Sequence, residues 1–406
     1  MSRVDRYNFT EGSIVDKMIL FALPLAFTNI LQQLFNSCDI AVVGQFAGAE
    51  AMAAVGTNVA PTCLFINLFG GMAIGANVVL AKYIGAKKED RISDVLHGVI
   101  FMAISIGIVL CVLGQFIARP LLTIMGAPPD VLSLAIVYLR IYAIGCPFIL
   151  LYNYEAAIFR SMGDTRTPLI GLSVAGGINI VFNLIAVIIF RMGVAGVGIA
   201  TVLYNVIVSL VLMIMLTKRT DAFKLILYKI RPNLNAIKQV VEIGLPSGLQ
   251  SMFYPISNIC IQTCINGLGS MMMAGSAAAL NFENMSYYFI NAFSHTALTF
   301  MGQNYGAGKV LRCRAVYRRA MFLSIVISFC ISMIFYICRY PLMGIYSNDI
   351  NVIEAGIQRL TVVSSLVFLE TLFDTPTASM RMFGHSVLPA IFVVTGTCIF
   401  RIVWVF

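Results

Sequence analysis

Charged residues are scarce in this sequence. Lys, Arg, Asp and Glu make up 11% of its 406 residues, whereas soluble globular chains carry about 25%. Apolar residues amount to 59%, and the mean hydropathy is +0.90. This composition excludes an ordinary water-soluble domain, and it predicts an integral membrane protein that is built from α-helices.

Histidine is scarce too, and cysteine is not found in metal-binding spacings. The three His residues lie far apart in the sequence, and none of the ten Cys residues forms a CxxC pair. The Cys residues lie in apolar segments, where they act as small hydrophobic side chains. No phosphate-binding GxxxxGK[ST] motif occurs, so ATP hydrolysis is not expected. We therefore expect no cofactor, we disfavour a membrane-embedded enzyme, and we expect an ion gradient as the energy source.

Apolar stretches of about 20 residues are long enough to cross a bilayer as helices. The first ten residues are polar and lack the apolar core of a signal peptide, so the first stretch is predicted to be a spanning helix and not a leader. An eleventh stretch begins near Leu388 and is still apolar at Phe406. The ten spans before it are predicted near 14–43, 51–80, 93–118, 131–158, 168–190, 192–217, 237–266, 271–300, 315–338 and 351–379.

The basic residues predict the direction of these spans. If the N-terminus is cytoplasmic, 21 of the 27 Lys and Arg residues fall in the N-terminal segment and the cytoplasmic loops, and three fall in the outer loops. Such a bias is typical of multi-pass proteins of the inner (plasma) membrane. The net charge of +9 is therefore interpreted as a sign of orientation, and no nucleic-acid partner is expected.

Three landmarks recur at a nearly constant offset. Residues 160–168 read RSMGDTRTP and residues 381–389 read RMFGHSVLP, with Arg, Gly and Pro at matching places 221 residues apart. Leu23-Pro24 recurs as Leu245-Pro246, and Gly85-Ala86 recurs as Gly306-Ala307. Two homologous halves are predicted, and such repeats are common in secondary transporters.

The second half begins six spans after the first, so both halves begin on the same side of the membrane and the repeats are parallel. A twelve-helix, all-α membrane fold is therefore predicted. The predicted organisation is an N-lobe at residues 1–217 (spans 1–6), a cytoplasmic linker at 218–236 and a C-lobe at 237–406 (spans 7–11). The C-lobe is expected to be incomplete, because the eleventh span is cut short and the twelfth is missing.

Polar residues recur at helical spacing inside several apolar spans, which predicts faces that line water or protein. The stripes are Asn29, Gln32, Asn36 and Asp39 in span 1; Asn179 and Asn183 in span 5; Gln250, Tyr254, Asn258, Gln262 and Asn266 in span 7; and Asn281, Asn284, Tyr288, Asn291 and His295 in span 8. We predict a central cleft between the halves. Hydrogen bonds between helices are the alternative, because they also use Asn and Gln.

Carboxylates inside spans are candidates for ion coupling. Asp39 has oxygen-bearing neighbours on its own face, including Asn36, and should bind a cation or a proton; a salt bridge to Arg140 is the alternative. Glu155 lies near Arg160, and a solvated ion pair between them is expected.

The second half carries three acids of this kind. Glu283 could meet a cationic substrate, or it could belong to a local network with a neighbouring Asn or Tyr. Glu370 and Asp374 lie one turn apart and would repel each other if both were ionised, so they form a possible second proton site. Arg359 is the competing partner of Glu370. Two prolines inside spans, Pro24 and Pro246, are candidate hinges.

The chain resembles a known family over nearly its whole length. The segments LPLAFTNILQQLFNSCDIAVVGQFAG, FRSMGDTRTP, GVAGVGIATVL, IGLPSGLQSM, MGQNYGAGK and MRMFGHSVLP are similar to those of the multidrug and toxic compound extrusion (MATE) family of cation-coupled antiporters. The resemblance implies twelve helices in two six-helix lobes around a cleft. It also implies export of cationic, often amphipathic, drugs or metabolites in exchange for Na+ or H+.

The resemblance also implies roles for particular residues. Asp39 matches the acid of the first helix that binds the coupling ion, and further oxygen ligands are expected from Asn179, Asn183 and Thr201. Many members carry a second acid where this chain has Asn183, and one branch has a Glu where this chain has Tyr254. The substrate cleft is expected to be lined by Gln32, Tyr254, Asn258, Gln262, Glu283, Asn284, Tyr288 and Asn291.

An alternative function keeps the fold and changes the substrate. Related transporters flip lipid-linked saccharides, and such a protein should need a strongly basic cleft for the diphosphate. Only Arg140, Arg359 and Arg401 are predicted to lie within spans, so the alternative is disfavoured. A monomer in the lipid bilayer is expected.

Overall fold

Helices are the only regular secondary structure in the residues that the computed structural model describes, 8–346 and 349–405. Arg3 and Arg6, which contribute to the charge bias, lie outside these residues. The first half contains α1 (Ile14–Phe46), α2 (Ala49–Gly85), α3 (Glu89–Ile124), α4 (Pro129–Met162), α5 (Arg166–Leu184) and α6 (Gly193–Thr217). The second half contains α7 (Leu234–Asn266), α8 (Ser270–Gly306), α9 (Val310–Ile337), α10 (Arg339–Gly344), α11 (Ile350–Leu366), α12 (Thr371–Phe383), α13 (Val387–Val393) and α14 (Phe400–Val405).

The helices agree with the predicted spans. Nine helical segments in the described part are long and apolar enough to cross a membrane. Helices α7 and α8, with 33 and 37 residues, are also long enough, but they carry the polar stripes and are less apolar. The tenth span is one continuous helical segment in which a 3₁₀ turn, Val367–Glu370, joins α11 to α12. The π-helical turns Ile185–Ile189, after α5, and Val394–Ile399, between α13 and α14, have no signal in the sequence pattern.

The backbone repeats itself between the two halves. Gly163 ends α4 and Gly384 ends α12 in the left-handed conformation, with φ values of 94° and 95°, a turn that favours glycine. Their N–H groups donate to the carbonyl oxygens of Arg160 and Arg381 at 2.9 and 3.0 Å. Gly48 and Gly269, 221 residues apart, precede α2 and α8 with φ values of 92° and 100°. The constant offset of 221 residues in the sequence therefore corresponds to the same turns in each half.

The chain forms two compact units, Met1–Ala26 with Phe253–Phe406, and Phe27–Met252. We call them the first and the second unit, in that order. The first unit contains most of the second half of the sequence, and the second unit contains most of the first half. Their boundaries lie inside α1 and α7, shortly after Pro24 and Pro246, the two candidate hinges. The predicted lobe boundaries at residues 217 and 237 stay a prediction.

In the first unit, the segment before α1 is fixed to α8 and α9. Phe9 stacks on Phe300 with ring centroids 3.7 Å apart, and Phe21 meets both rings edge-on. Asn304 Nδ2 donates to the Phe9 carbonyl oxygen at 3.1 Å, and Arg312 Nη2 donates to the Gly12 carbonyl oxygen at 2.8 Å. The beginning of α1 is thus anchored by aromatic packing and by satisfied backbone groups.

In the second unit, the beginning of α7 packs closely against α2. Each helix contributes a small-residue pair at a spacing of four, Gly71 and Gly75 on α2 and Gly244 and Gly248 on α7. A Cβ atom on Gly71 would lie 2.6 Å from the Gly248 Cα atom. Facing GxxxG motifs allow two membrane helices to approach this closely.

The predicted linker is packed onto the second unit. His97 of α3 lies 2.7 Å from the Ser93 carbonyl oxygen through Nδ1, and its Nε2 accepts the Ile226 N–H at 3.0 Å. These partners require the proton on Nδ1. Asp221 forms an ion pair with Arg219 at 2.6 Å. Burial raises the pKa of Asp221, but the hydrogen bonds and the charge of Arg219 outweigh it, and the net pKa lies below its usual value.

Candidate functional site

The second unit brings Asp39 together with two neutral side chains from distant parts of the sequence. Asn183 of α5 donates through Nδ2 to Asp39 Oδ1. Thr201 of α6 donates through Oγ1 to Asp39 Oδ2 at 3.1 Å. The Asn183 Nδ2 atom also lies 3.4 Å from Asn179 Oδ1. The structure therefore places Asp39, Asn179, Asn183 and Thr201 in one network, which we call the Asp39 cluster.

The secondary structure explains how α5 and α6 present these groups. Asn179 and Asn183 are one turn apart on α5, so their side chains share a face. The π-helical turn Ile185–Ile189 begins two residues after Asn183, and such turns are frequent beside functional sites. On α6, the Thr201 Oγ1 atom also lies 3.0 Å from the Val197 carbonyl oxygen, so its single O–H can donate either to Asp39 or to this backbone group.

The Asp39 cluster is sealed in this conformation. Asp39, Asn179 and Asn183 are exposed by only 6%, 2% and 1%. Of the two linings that the polar face of α1 allowed, water or protein, Asp39 has protein in the conformation described. The Asn179 Nδ2 and Asn183 Oδ1 atoms have no hydrogen-bond partner in the described part of the chain. A buried carboxylate with only neutral donors favours a proton or a small cation beside it.

Two expected neighbours of Asp39 do not join the cluster. The Arg140 side chain is exposed, and none of the ion pairs found among the described residues involves Asp39. Asn36 is also exposed, and it makes no hydrogen bond to Asp39 within the part of the chain that the structure describes. The salt bridge that was the alternative is therefore not formed here.

Sequence reasoning missed two tyrosines at this site. Tyr138 of α4 is buried, shares a hydrogen bond with Thr201 and lies within electrostatic range of Asp39. Tyr204 of α6 lies within electrostatic range of both Asp39 and Tyr152. The sequence shows only that each tyrosine lies inside an apolar span. It does not show which neighbouring helix the phenol group faces.

The predicted cleft residues belong to different units. Gln32 lies in the second unit, where its Nε2 atom is 3.5 Å from the Tyr152 hydroxyl oxygen. Asn258 is exposed and accepts from Arg401 Nη1 at 3.3 Å. The remaining cleft residues, all partly exposed on α7 and α8 of the first unit, are Tyr254, Gln262, Glu283, Asn284, Tyr288 and Asn291. Their role as a substrate cleft stays a prediction.

Glu283 pairs with Arg359, the residue that the sequence pattern gave as a competing partner of Glu370. Arg359 of α11 donates to Glu283 Oε2 at 2.8 Å and to Ser276 Oγ at 2.5 Å. The expected pairing of Arg359 with Glu370 is therefore wrong, and so is a purely local network for Glu283. Eleven residues separate Arg359 from Glu370, which is a rise of about 16 Å along a helix, and the two side chains cannot span that distance.

The possible second proton site is a cluster of acids and phenols in the first unit. Asp374 is buried, at 9% exposure, and Glu370 is partly exposed. Both acids lie within electrostatic range of Tyr254 and Tyr287. Arg381, from the repeated Arg-Gly-Pro motif, lies within electrostatic range of Asp374. The structure thus brings the predicted pair together with Tyr287 and Arg381, which sequence reasoning did not assign.

The expected solvated ion pair between Glu155 and Arg160 is wrong. Glu155 is 0% exposed, and both of its carboxylate oxygens lack a hydrogen-bond partner among the described residues. Positions five residues apart on an α-helix point about 140° away from each other, at about 100° per residue. The two side chains therefore face different neighbours.

Replacing Arg359 with Met should destabilise the protein because it leaves Glu283 without its counter-charge. The paired side chains are 23% and 29% exposed, which places them between surface pairs and fully buried pairs, so we expect a loss of about 1–3 kcal/mol. Thermal unfolding of detergent-purified protein measures the loss. The double variant Arg359→Met with Glu283→Gln should recover most of it, and the exposed Arg318→Gln is the control. Equal unfolding temperatures for Arg359→Met and Arg318→Gln would contradict the pairing.

Comparisons with known proteins agree with the fold. The chain is 26% identical over 398 residues to "Probable multidrug resistance protein YoeA" of Bacillus subtilis, covering 94% of this chain and 84% of the relative. It is 24% identical over 381 residues to "Probable multidrug resistance protein NorM" of Thermotoga maritima, covering 92% and 81%. It superimposes with a TM-score of 0.90, at 21% identity, on an "Outward-facing conformation of a multidrug resistance MATE family transporter of the MOP superfamily", covering 96% and 87%.

The family model for MatE matches the chain twice, at residues 24–185 and 246–406. The two matches begin at Pro24 and Pro246, so they reproduce the repeat seen in the sequence and in the backbone turns. Together they cover most of the chain. The chain therefore belongs to the MatE family of multidrug efflux transporters, multi-pass membrane proteins with two related halves.

Proposed function

We propose that this protein is a secondary active antiporter of the plasma membrane, with a cytoplasmic N-terminus. It exports cationic, amphipathic drugs or metabolites and takes up Na+ or H+ in exchange. The observation that carries this proposal is the Asp39 cluster, in which a buried carboxylate is held only by neutral donors. The relatives' names refer to multidrug resistance, which supports a small-molecule substrate and a transporter rather than an enzyme.

The cluster contains the groups that a coupling ion needs. A proton would be bound by an Asp39 oxygen. A sodium ion would be bound by Asp39 together with the amide oxygens of Asn179 and Asn183 and the Thr201 hydroxyl group, because hard cations prefer several oxygen ligands. The unpartnered Asn183 Oδ1 atom is available for such a contact. With Asn183 in place of a second acid, the site carries one formal charge, which matches a monovalent ion.

Exchange requires that the ion and the drug oppose each other. Binding of the ion neutralises Asp39 and stabilises the conformation that releases the drug outward. Binding of the drug from the cytoplasm stabilises the other conformation. Both ligands act only through their different affinities for the two conformations. Pro24 and Pro246, beside the boundaries of the two units, are the bending points that we assign to this change.

Purified protein in proteoliposomes tests the proposal. A fluorescent organic cation is loaded, and either a sodium gradient or a pH gradient is imposed alone, with an ionophore to collapse it as the control. One of the two gradients should drive efflux, and the ionophore should abolish it. Efflux that ignores both gradients would contradict the proposal. Movement of a fluorescent lipid-linked diphosphate in place of the dye would support the flippase alternative.

A further inference from the structure

Glu155 is a buried acid that the proposed exchange does not use. It lies near the end of α4, five residues before Arg160, and it is 0% exposed. Neither Oε1 nor Oε2 has a hydrogen-bond partner in the part of the chain that the structure describes. None of the ion pairs among the described residues includes Glu155. The carboxyl group is therefore isolated from both water and counter-charge.

The surroundings of Glu155 on its own helix are almost entirely apolar. The residues three and four positions away share its face, and they are Leu151, Tyr152, Ile158 and Phe159, each no more than 3% exposed. Two titratable groups lie nearby. Tyr152 is within electrostatic range of both Glu155 and Arg160, whereas Arg160 faces another side of α4. No salt bridge joins Glu155 to another element in the part of the chain that the structure describes.

Physical chemistry restricts the state of such a group. An ionised carboxylate that is buried without partners costs several kcal/mol, so the group must be neutral or must bind a cation. A metal cation needs several oxygen ligands, and among the four residues that share the face of Glu155 only Tyr152 carries a side-chain oxygen. A proton needs no further ligand. The geometry therefore favours a protonated acid over a metal site.

We propose that Glu155 is a second proton-binding group of the N-terminal half, separate from Asp39. It holds its proton in the conformation described and exchanges it with water in a conformation that opens this end of α4. In that step the O–H bond of the acid breaks and a water molecule receives the proton, which leaves a carboxylate. The inference rests on the proposed ion-coupled transport, but it concerns a different residue.

Tyr152 connects this acid to the helix that carries Asp39. Its hydroxyl oxygen is 3.5 Å from Gln32 Nε2, and Gln32 precedes Asp39 by two turns on α1. Tyr204 lies within electrostatic range of both Tyr152 and Asp39. Protonation of Glu155 can therefore influence the Asp39 cluster through two phenols, without direct contact between the acids.

Infrared spectroscopy of the purified, full-length protein tests the protonation directly. At neutral pH the wild type should show the carbonyl stretch of a protonated carboxylic acid that is lost in Glu155→Gln. The matched control is Glu89→Gln, which removes an exposed acid and should leave that band unchanged. If Glu155→Gln instead removes only a carboxylate band, Glu155 is ionised and the proposal is overturned.

The pH dependence of stability is a second readout, and it does not require transport. If Glu155 holds a proton in the folded state that it loses on unfolding, the folded state becomes less stable as the pH rises above about 4.3, the pKa of Glu in an unfolded chain. The unfolding temperature of the wild type should therefore fall more steeply from about pH 5 to about pH 8 than that of Glu155→Gln. Parallel curves would overturn the proposal.

Transport assays separate this proposal from the proposed function. Glu155→Gln imitates the protonated acid, so its gradient-driven efflux should lose part of its pH dependence, whereas Glu89→Gln should keep all of it. If Asp39→Asn abolishes coupling but Glu155→Gln changes neither the infrared band nor the pH profile, only the Glu155 proposal fails. If Asp39→Asn still couples efflux to the gradient, the proposed function fails.

Discussion

Asp39→Asn protein should reach the membrane in normal amounts and lose all gradient-driven efflux. The substitution keeps the size of the side chain and its acceptor oxygen, so Thr201 or Asn183 can still donate to it. It removes the negative charge that a sodium ion needs and the oxygen that a proton would occupy. The ion can then no longer favour one conformation over the other, and a ligand without such a difference in affinity shifts no equilibrium.

The expected result is an efflux rate equal to that of vesicles without protein, measured with the same dye under the gradient that drives the wild type. Glu50→Gln is the matched control, because Glu50 is an exposed acid of the same unit, and its efflux should equal that of the wild type. Thermal unfolding of both variants shows whether they are folded. Gradient-driven efflux by well-folded Asp39→Asn protein would refute the role of Asp39.

Asn183→Asp should retain coupled efflux, in contrast to Asp39→Asn. The new acid lies beside Asp39, so the two groups would share a proton or a cation rather than both remain ionised and free. Comparing the efflux of Asn183→Asp with that of Asp39→Asn shows whether coupling requires a negative charge at the site or the geometry of one particular side chain.

The spans and the repeat could be predicted from the sequence because their physical causes are local. Length and hydropathy determine which segments cross a bilayer, and the Arg-Gly-Pro motif marks the left-handed turns at Gly163 and Gly384. The short helix α10 and the two π-helical turns could not be predicted, since they leave no periodic signal.

The candidate site was predictable only in part. Helical spacing placed Asn179 and Asn183 on one face, but it could not show that Asp39 would accept a hydrogen bond from Asn183. That pairing depends on how α1, α5 and α6 pack, which the family resemblance supplied. Tyr138 was missed for the same reason.

Two expectations about charge pairing were wrong, and both errors were geometric. A separation of five residues placed Glu155 and Arg160 on different sides of α4. A separation of eleven residues placed Arg359 and Glu370 about 16 Å apart along the helix, beyond the reach of the two side chains. Nearness in sequence is therefore a poor guide to ion pairs when the spacing is not the three or four residues that bring side chains together on a helix.

Gly75→Val should prevent the second unit from assembling normally. A Cβ atom at Gly75 would collide with the Val240 carbonyl oxygen, and it would lie 2.9 Å from the Gly244 nitrogen and 3.1 Å from its Cα atom. These are backbone atoms of α7, so no side-chain rotation can relieve the collision. The contact is similarly close from the side of α7, because a Cβ atom at Gly244 would lie 2.5 Å from the Met72 carbonyl oxygen of α2.

Overpacking a core typically costs about 1–3 kcal/mol, and a collision between two backbones should reach or exceed the upper end of this range. We expect Gly75→Val protein to lose its monodisperse peak in size-exclusion chromatography, or to unfold at a much lower temperature. Gly56→Val, on the same helix, is the matched control, since a Cβ atom there meets nothing within 4 Å. If Gly75→Val and Gly56→Val elute and unfold alike, α7 can move away from α2 at little cost, and the facing GxxxG motifs do not hold the two helices together.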